Sequence, residues 1–188
     1  SWVDIIDDNG DILYTWHTHP TNGYLGWNLL FGTSFAHSSV MMKNEIVKKA
    51  GYYQSPEAED YDLWSRISRI TDVANIPEVL QQKRVWAGQL ALKVPTETRD
   101  CVIQIMQKNI NHLLGDSNLD LGMIRNIRKV SDKTPTIQDS QLISDTKNIL
   151  VQMYNQYLIK FKLKKAEQKN ISRDIFKKLS TLADWQYS

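Results

Sequence analysis

The chain has 188 residues, of which 41% are hydrophobic and 23% charged, a composition typical of one substantial globular domain or two small ones. Its formal net charge of +2 is too small to indicate a nucleic-acid-binding protein, and its single cysteine excludes an internal disulfide and fits a reducing, cytoplasmic compartment. No stretch approaches the roughly 20 apolar residues that a membrane-spanning helix needs. We therefore expect a globular protein without nucleic acid as a partner.

The first part of the chain, residues 1–93, has short alternating segments typical of mixed strands and short helices. Residues 3–6 and 12–14 flank the dipeptide Asn9-Gly10, which supplies the positive φ angles of a tight hairpin turn. Residues 35–42 are predicted to form a further strand.

Two helices and an extended segment follow in the same part of the chain. The first is predicted over residues 45–50 and stops at Gly51, since glycine suits a left-handed helix end. The second is predicted to begin with Asp60 as its cap, and residues 75–80 to be extended. The apolar residues of the second helix recur at helical spacing and are predicted to be buried: Leu63, Trp64, Ile67 and Ile70.

Residues 94–188 show longer helical periods and are predicted to form an all-α region. Gly115 is predicted to end its first helix and Ser172 to cap its last. The predicted core stripes are Ile103, Met106, Ile110 and Leu113; then Leu121, Ile124, Ile127 and Val130; then Ile149, Met153, Tyr157 and Phe161; and finally Phe176 and Leu179.

Residues 58–66, with the sequence AEDYDLWSR, place three acids at the start of an amphipathic helix. A helix amino terminus carries partial positive charge and free N–H groups, so acids are stabilising there. A purely structural capping role would explain any one of these acids.

The same segment is similar to the Glu-Asp-Tyr-Asp-Leu-Trp-x-Arg signature of family-2 glycosyltransferases with the GT-A fold. Residues 35–41 (FAHSSVM), 49–52 (KAGY) and 75–80 (NIPEVL) resemble three further segments of that family, in the family's order and spacing. The chain thus resembles the C-terminal part of an inverting, bacterial-type family-2 glycosyltransferase. The resemblance implies an α+β fold in which residues 1–93 are the acceptor-side portion of a GT-A nucleotide-diphospho-sugar transferase domain, followed by the helical region 94–188.

The resemblance also implies roles for particular residues. Asp60 would be the general base that takes the proton from an acceptor hydroxyl. Glu59 and His37 would lie on the acceptor side, with Glu59 either orienting hydroxyl groups or pairing with a cation. Arg84 would meet the donor diphosphate. Trp64 and Arg66 are predicted to hold the helix in place, by burial and by a salt bridge.

The departures from the family pattern concern the donor side. Nothing in the chain matches the family's nucleotide-binding half or its Asp-x-Asp metal motif, so Mg2+ or Mn2+ would be held by ligands upstream of this chain, and none is expected within it. Residues 83–89 (KRVWAGQ) resemble a Tyr-Arg-x-His-x-x-Gln segment, but Trp86 stands where the family has His. We expect the chain to be part of a longer enzyme and to be inactive alone.

The implied partners are a nucleotide-sugar donor and a glycan or lipid-linked acceptor, in cell-surface polysaccharide or glycolipid synthesis. The basic residues between 160 and 178 predict either a solvated helix face or a peripheral contact with anionic lipid at the inner face of the membrane. A homodimer is possible through an exposed sheet edge.

The alternative function is that of a non-catalytic interaction module of a polysaccharide-assembly complex, derived from the same fold. His17 and His19 are interpreted as loop histidines, since no further metal ligands stand at suitable spacing.

Overall fold

The computed structural model describes residues 1–86, 95–115, 117–134 and 139–186. Over these residues the fold is α+β, as predicted, with three strands and seven α-helices. The chain divides into two units, here called the N-terminal unit (residues 1–29 and 33–101) and the helical unit (residues 30–32 and 102–188). The predicted boundary after residue 93 lies outside the described residues, as do residues 87–89 of the last family-like segment.

The N-terminal unit contains one small sheet in the order β2-β1-β3. Its strands are β1 (Trp2–Ile6), β2 (Ile12–Trp16) and β3 (Val79–Arg84). β1 pairs antiparallel with β2 and parallel with β3. The hairpin is confirmed, and Gly10 has the expected positive φ of 94°. The extended segment is confirmed only from Val79 onward, and it continues beyond the predicted end.

Three short helices complete this unit: α1 (Asn22–Asn28), α2 (Asn44–Ala50) and α3 (Glu59–Ile67). α2 ends at Gly51 with a φ of 83°, as predicted. Leu63, Trp64 and Ile67 are buried on α3. The prediction for Ile70 is wrong, because the helix ends at Ile67 and the Ile70 side chain is exposed.

The predicted strand over residues 35–42 is also wrong. The segment forms a single 3-10 turn at His37–Ser39 with non-strand residues on both sides. The Ser39 hydroxyl donates to the Ala36 carbonyl at 3.0 Å, and the Val40 N–H donates to the His37 carbonyl at 3.2 Å. Such local bonds compete with strand pairing for the same backbone groups, so the serines favour a turn.

The helical unit contains most of α4 (Thr96–Leu114) and all of α5 (Leu121–Asp132), α6 (Ser140–Lys160) and α7 (Lys165–Gln186). Gly115 follows α4 with a φ of 78°. The predicted stripes are confirmed at most positions, where buried residues recur at helical spacing: Ile103, Met106, Ile110, Leu113, Ile124, Ile127, Val130, Met153 and Tyr157.

The last helix differs from the prediction. α7 begins at Lys165, so Ser172 lies inside it and donates to the Gln168 carbonyl at 2.8 Å instead of capping. Phe176 and Phe161, both predicted to lie in the core, are exposed, and Phe161 follows the end of α6. The buried positions of α7 are Ile171, Ile175 and Leu182. No helix in the described part of the chain is long and apolar enough to cross a membrane.

Candidate functional site

The acidic segment lies in the first turn of α3, reached through an unusual backbone conformation. Ala58, which precedes the helix, has φ 52° and ψ 37°, in the left-handed region that alanine rarely occupies. A capping residue lies before the first helical position and has extended dihedrals. Asp60 is the second helical residue, and α3 has no side-chain cap bond, so the capping prediction is wrong. The Asp60 Oδ1 accepts a hydrogen bond from the Tyr61 N–H at 2.6 Å.

Glu59 and His37 meet beside this turn. The Glu59 Oε1 is 4.0 Å from the His37 Nδ1, and the two side chains are 45% and 43% exposed. His37 Nε2 lies 2.9 Å from the Tyr53 hydroxyl, so one ring nitrogen faces an acid and the other a phenol. The structure thus brings together two of the predicted site residues, with Asp60 adjacent to Glu59 in the helix.

Trp64 forms the inner wall of this group. Its side chain is 3% exposed, as predicted, and the edges of the His37 and Phe35 rings approach it at centroid distances of 5.7 and 6.2 Å. Its indole N–H is buried and has no acceptor among the described residues. Trp64 also lines, with Phe35 and Asn75, a cavity of about 360 Å³. Glu59, Asp60 and His37 do not line this cavity, and the two acids are half-buried. An aromatic wall beside such acids can hold a ligand that has both apolar and hydroxyl surfaces.

Arg66 fixes the helix, as the sequence predicted. Its Nε and Nη2 both donate to the Asp62 Oδ2, at 3.0 and 2.6 Å, and its Nη groups also donate to the carbonyls of Ala50 and Tyr52. Asp62 is buried, and this pairing supplies the partner that a buried carboxylate requires. Asp62, in the same first turn as Glu59 and Asp60, is therefore a structural acid.

Arg84 makes different contacts from those that the resemblance implies. Its Nη1 donates to the backbone carbonyls of Asp7 and Asp8, at 2.6 and 2.9 Å, and so secures the hairpin turn between β1 and β2. Its contact with a diphosphate stays a prediction. Trp86, at the family's histidine position, is exposed.

Tyr53 is a partner of His37 that no sequence pattern predicted. The two residues are 16 positions apart and belong to no common motif, so only the fold brings them together. In the described part of the chain, no group of three or more His, Cys, Asp or Glu side chains is arranged to hold a metal ion.

Two curated proteins are similar to parts of the chain. An uncharacterized glycosyltransferase of Haemophilus influenzae is 27% identical over 95 residues, which are 50% of this chain and 28% of that protein. The O-antigen biosynthesis glycosyltransferase WbnJ of Escherichia coli is 33% identical over 66 residues, which are 35% of this chain and 26% of that protein. The matches therefore span little more than a quarter of the length of each relative.

No family model matches the chain, and no solved structure matches it. The two similarities support a relationship to glycosyltransferases, without identifying a particular family or a GT-A fold.

Proposed function

We propose that this chain supplies the acceptor side of an inverting family-2 glycosyltransferase with a GT-A fold, and that Asp60 is its general base. The observation that carries the proposal is the Glu59-Asp60 pair in the first turn of α3, with His37 4.0 Å from Glu59. Both partial relatives are named glycosyltransferases, which agrees with this activity.

The chemistry requires a base because a sugar hydroxyl is a weak nucleophile. As the acceptor oxygen bonds to the anomeric carbon of a nucleotide-sugar, the bond from that carbon to the diphosphate breaks, and the diphosphate leaves with the electron pair. The hydroxyl proton passes to the base, and a single displacement inverts the anomeric configuration. The Tyr61 N–H is bonded to the Asp60 Oδ1, so we assign the proton to Oδ2.

Glu59 and His37 would position the acceptor. Both side chains are about half exposed, so a glycan can reach them, and the Tyr53 hydroxyl at 2.9 Å restrains the imidazole. A carboxylate accepts hydrogen bonds from sugar hydroxyls, and an imidazole nitrogen can donate or accept. This pair would fix which hydroxyl faces Asp60.

The donor side is assigned to groups outside the described residues. A divalent cation such as Mg2+ or Mn2+ would neutralise the diphosphate, but the described residues offer no ligand cluster for it, so we assign no step of the reaction to a metal held by this chain. Arg84 uses its Nη1 for the hairpin carbonyls, so a diphosphate would meet its Nε and Nη2 groups. The name of WbnJ, an O-antigen biosynthesis enzyme, suggests a glycan or lipid-linked acceptor in cell-surface polysaccharide synthesis.

The same proposal has two less specific parts. One is a peripheral contact with the inner face of the membrane, and the other is a homodimer. Two of the basic side chains are used within the helical unit: Lys178 bonds Asp174 at 2.7 Å and lies over the Phe31 ring, and Lys160 donates to the His112 carbonyl. The exposed Phe176 lies on the same helix as Lys178 and would be the apolar group available to a lipid surface.

The test is the Asp60→Asn variant of the full-length protein, assayed with a panel of nucleotide-sugars and Mn2+ for release of nucleoside diphosphate. We expect kcat to fall by about 100-fold or more, because general-base catalysis contributes on that order, while donor affinity measured by calorimetry is unchanged. Glu97→Gln is the matched control, since Glu97 is an exposed acid in the first turn of α4.

Unchanged transfer by Asp60→Asn would remove Asp60 from the role of base. Absence of transfer by both the unmodified protein and the variant would favour the alternative, a non-catalytic interaction module of a polysaccharide-assembly complex.

A further inference from the structure

A second cavity, here called the aromatic cavity, lies in the N-terminal unit where the chain passes from β2 to α1. It is an open depression with a volume of about 510 Å³, within the range of roughly 300–1,000 Å³ typical of small-ligand pockets. Three large aromatic rings and two imidazoles line it together with small polar residues; the rings are Trp2, Trp16, Tyr24, His17 and His19. None of the candidate residues around Asp60 lines this cavity.

The rings are held by contacts within the protein. The Trp2 indole N–H donates to the Thr18 carbonyl at 2.8 Å, and the Trp2 ring meets His17 edge to face at a centroid distance of 4.7 Å. His19 packs against Tyr24 at 4.4 Å, and its Nδ1 lies 3.1 Å from the Thr21 hydroxyl. A site whose walls are ordered before the ligand arrives loses less conformational entropy on binding.

A buried amide fixes the polar wall of the cavity. Asn75 Nδ2 donates to the Thr18 hydroxyl at 2.6 Å and to the Ser34 carbonyl at 3.1 Å, and its side chain is buried. This joins the loop after β2 to the segment before His37. The hydroxyl and amide groups of the wall are those of Thr18, Thr33, Ser34 and Asn28.

The charge of the lining indicates the charge of the ligand. Among the described residues that line the aromatic cavity there is no Lys, Arg, Asp or Glu. A diphosphate or carboxylate ligand would need a cation to compensate its desolvation. The lining therefore favours a neutral ligand with flat apolar faces and hydroxyl groups at its edges.

We propose that the aromatic cavity binds a neutral pyranose unit of a glycan. The C–H faces of a pyranose pack on aromatic rings, and its hydroxyl groups meet serine, threonine, asparagine and histidine side chains, which both donate and accept. The choice of a sugar among neutral ligands rests on the proposed function. The cavity would hold a sugar residue of the acceptor away from the reacting one, so binding there requires neither a donor nor a transfer step.

The experiment titrates this chain, without any nucleotide-sugar, with the methyl pyranosides of glucose, galactose and N-acetylglucosamine. Saturation-transfer NMR and tryptophan fluorescence report binding. We expect saturable binding of at least one glycoside, weakened about tenfold or more by Trp16→Leu and by His17→Ala.

Tyr14→Leu is the matched control, because Tyr14 is an exposed aromatic residue on the same strand that does not line the cavity. Circular dichroism checks that each variant is folded, and the exposed loop position of His17 provides a variant that does not disturb the strand.

Absence of saturable binding of all three glycosides would overturn the inference, as would equal binding by the wild type and both cavity variants. Binding of uridine in their place would overturn it as well, because the site would then be a nucleoside site. Asp60→Asn should bind the glycosides as the wild type does. A failed transfer test with intact glycoside binding therefore removes only the base assignment, and the reverse result removes only the aromatic cavity.

Discussion

The two units satisfy the ends of their helices in different ways. In the helical unit, the Asp120 carboxylate accepts the Met123 N–H at 2.9 Å, and the Asp139 carboxylate accepts the N–H groups of Gln141 and Leu142 at 2.8 and 3.1 Å. In the N-terminal unit, none of α1, α2 and α3 has a side-chain cap bond, although acids stand in the first turn of α3.

At the carboxyl ends of its helices, the N-terminal unit uses distant side chains. Arg66 bonds the carbonyls of Ala50 and Tyr52, and the Tyr61 hydroxyl donates to the Leu29 carbonyl at 2.8 Å. Local capping rules are thus followed at the start of α5 and α6 and not in the three short helices of the N-terminal unit.

The largest effect on stability should come from the buried acid of α3. Each unit contains an Arg–Asp pair at i,i+4 spacing: Asp62 with Arg66, where the acid is 12% exposed, and Asp132 with Arg128, where it is 42% exposed. Breaking a buried pair strands a charge, whereas exposed pairs are screened by water. Urea unfolding should show a loss of about 2 kcal/mol for Asp62→Asn.

Asp132→Asn, the matched control, should cost less than about 0.5 kcal/mol. Equal losses for the two variants would contradict the distinction between a structural acid in α3 and a surface pair in α5.

A smaller effect is expected at the helix caps. Asp139→Ala removes the acceptor of two N–H groups at the start of α6 and should lower the free energy of unfolding by about 1 kcal/mol. Asp60→Asn should change it by no more than about 0.5 kcal/mol, because Asp60 does not cap α3. Thermal and urea unfolding measure the change in the free energy of unfolding of each variant. The control in α6 is Ser144→Ala, at an exposed position. A loss near 1 kcal/mol for Asp60→Asn would show that this acid is structural after all.

The smallest effect at neutral pH is expected at Tyr157. Burial, with a lesser contribution from the negative charge of Glu167, raises the pKa of Tyr157 above its ordinary value near 10. Folding therefore favours the protonated phenol, so its contribution to stability is complete below about pH 10 and is lost as the pH rises above that value. Tyr157→Phe should reduce the loss of stability between about pH 9 and 11, measured by urea unfolding.

The exposed Tyr52→Phe should leave that dependence unchanged, because its hydroxyl meets water in both states. The same alkaline loss in Tyr157→Phe and in the wild type would show that other groups dominate.

The sequence by itself determined the elements whose causes are local. The Asn9-Gly10 turn, the helix end at Gly51 and the buried stripes of α4 and α5 were all predictable, because turn chemistry and helical periodicity act over a few residues. The acidic segment was likewise found from its pattern, and its family resemblance directed attention to Asp60.

Only the tertiary structure decided which groups meet across long separations. The His37–Tyr53 contact and the Asn75 bonds to Thr18 and Ser34 join residues 16 to 57 positions apart, for which no local pattern exists. The aromatic cavity likewise combines residues from Trp2 to Ser34. The two errors have local causes instead: the segment around His37 forms a turn in which the Ser39 hydroxyl bonds the Ala36 carbonyl, and Asp60 does not cap because the chain enters α3 through Ala58. Backbone hydrogen bonds that are completed by distant side chains cannot be assigned until the chain is folded.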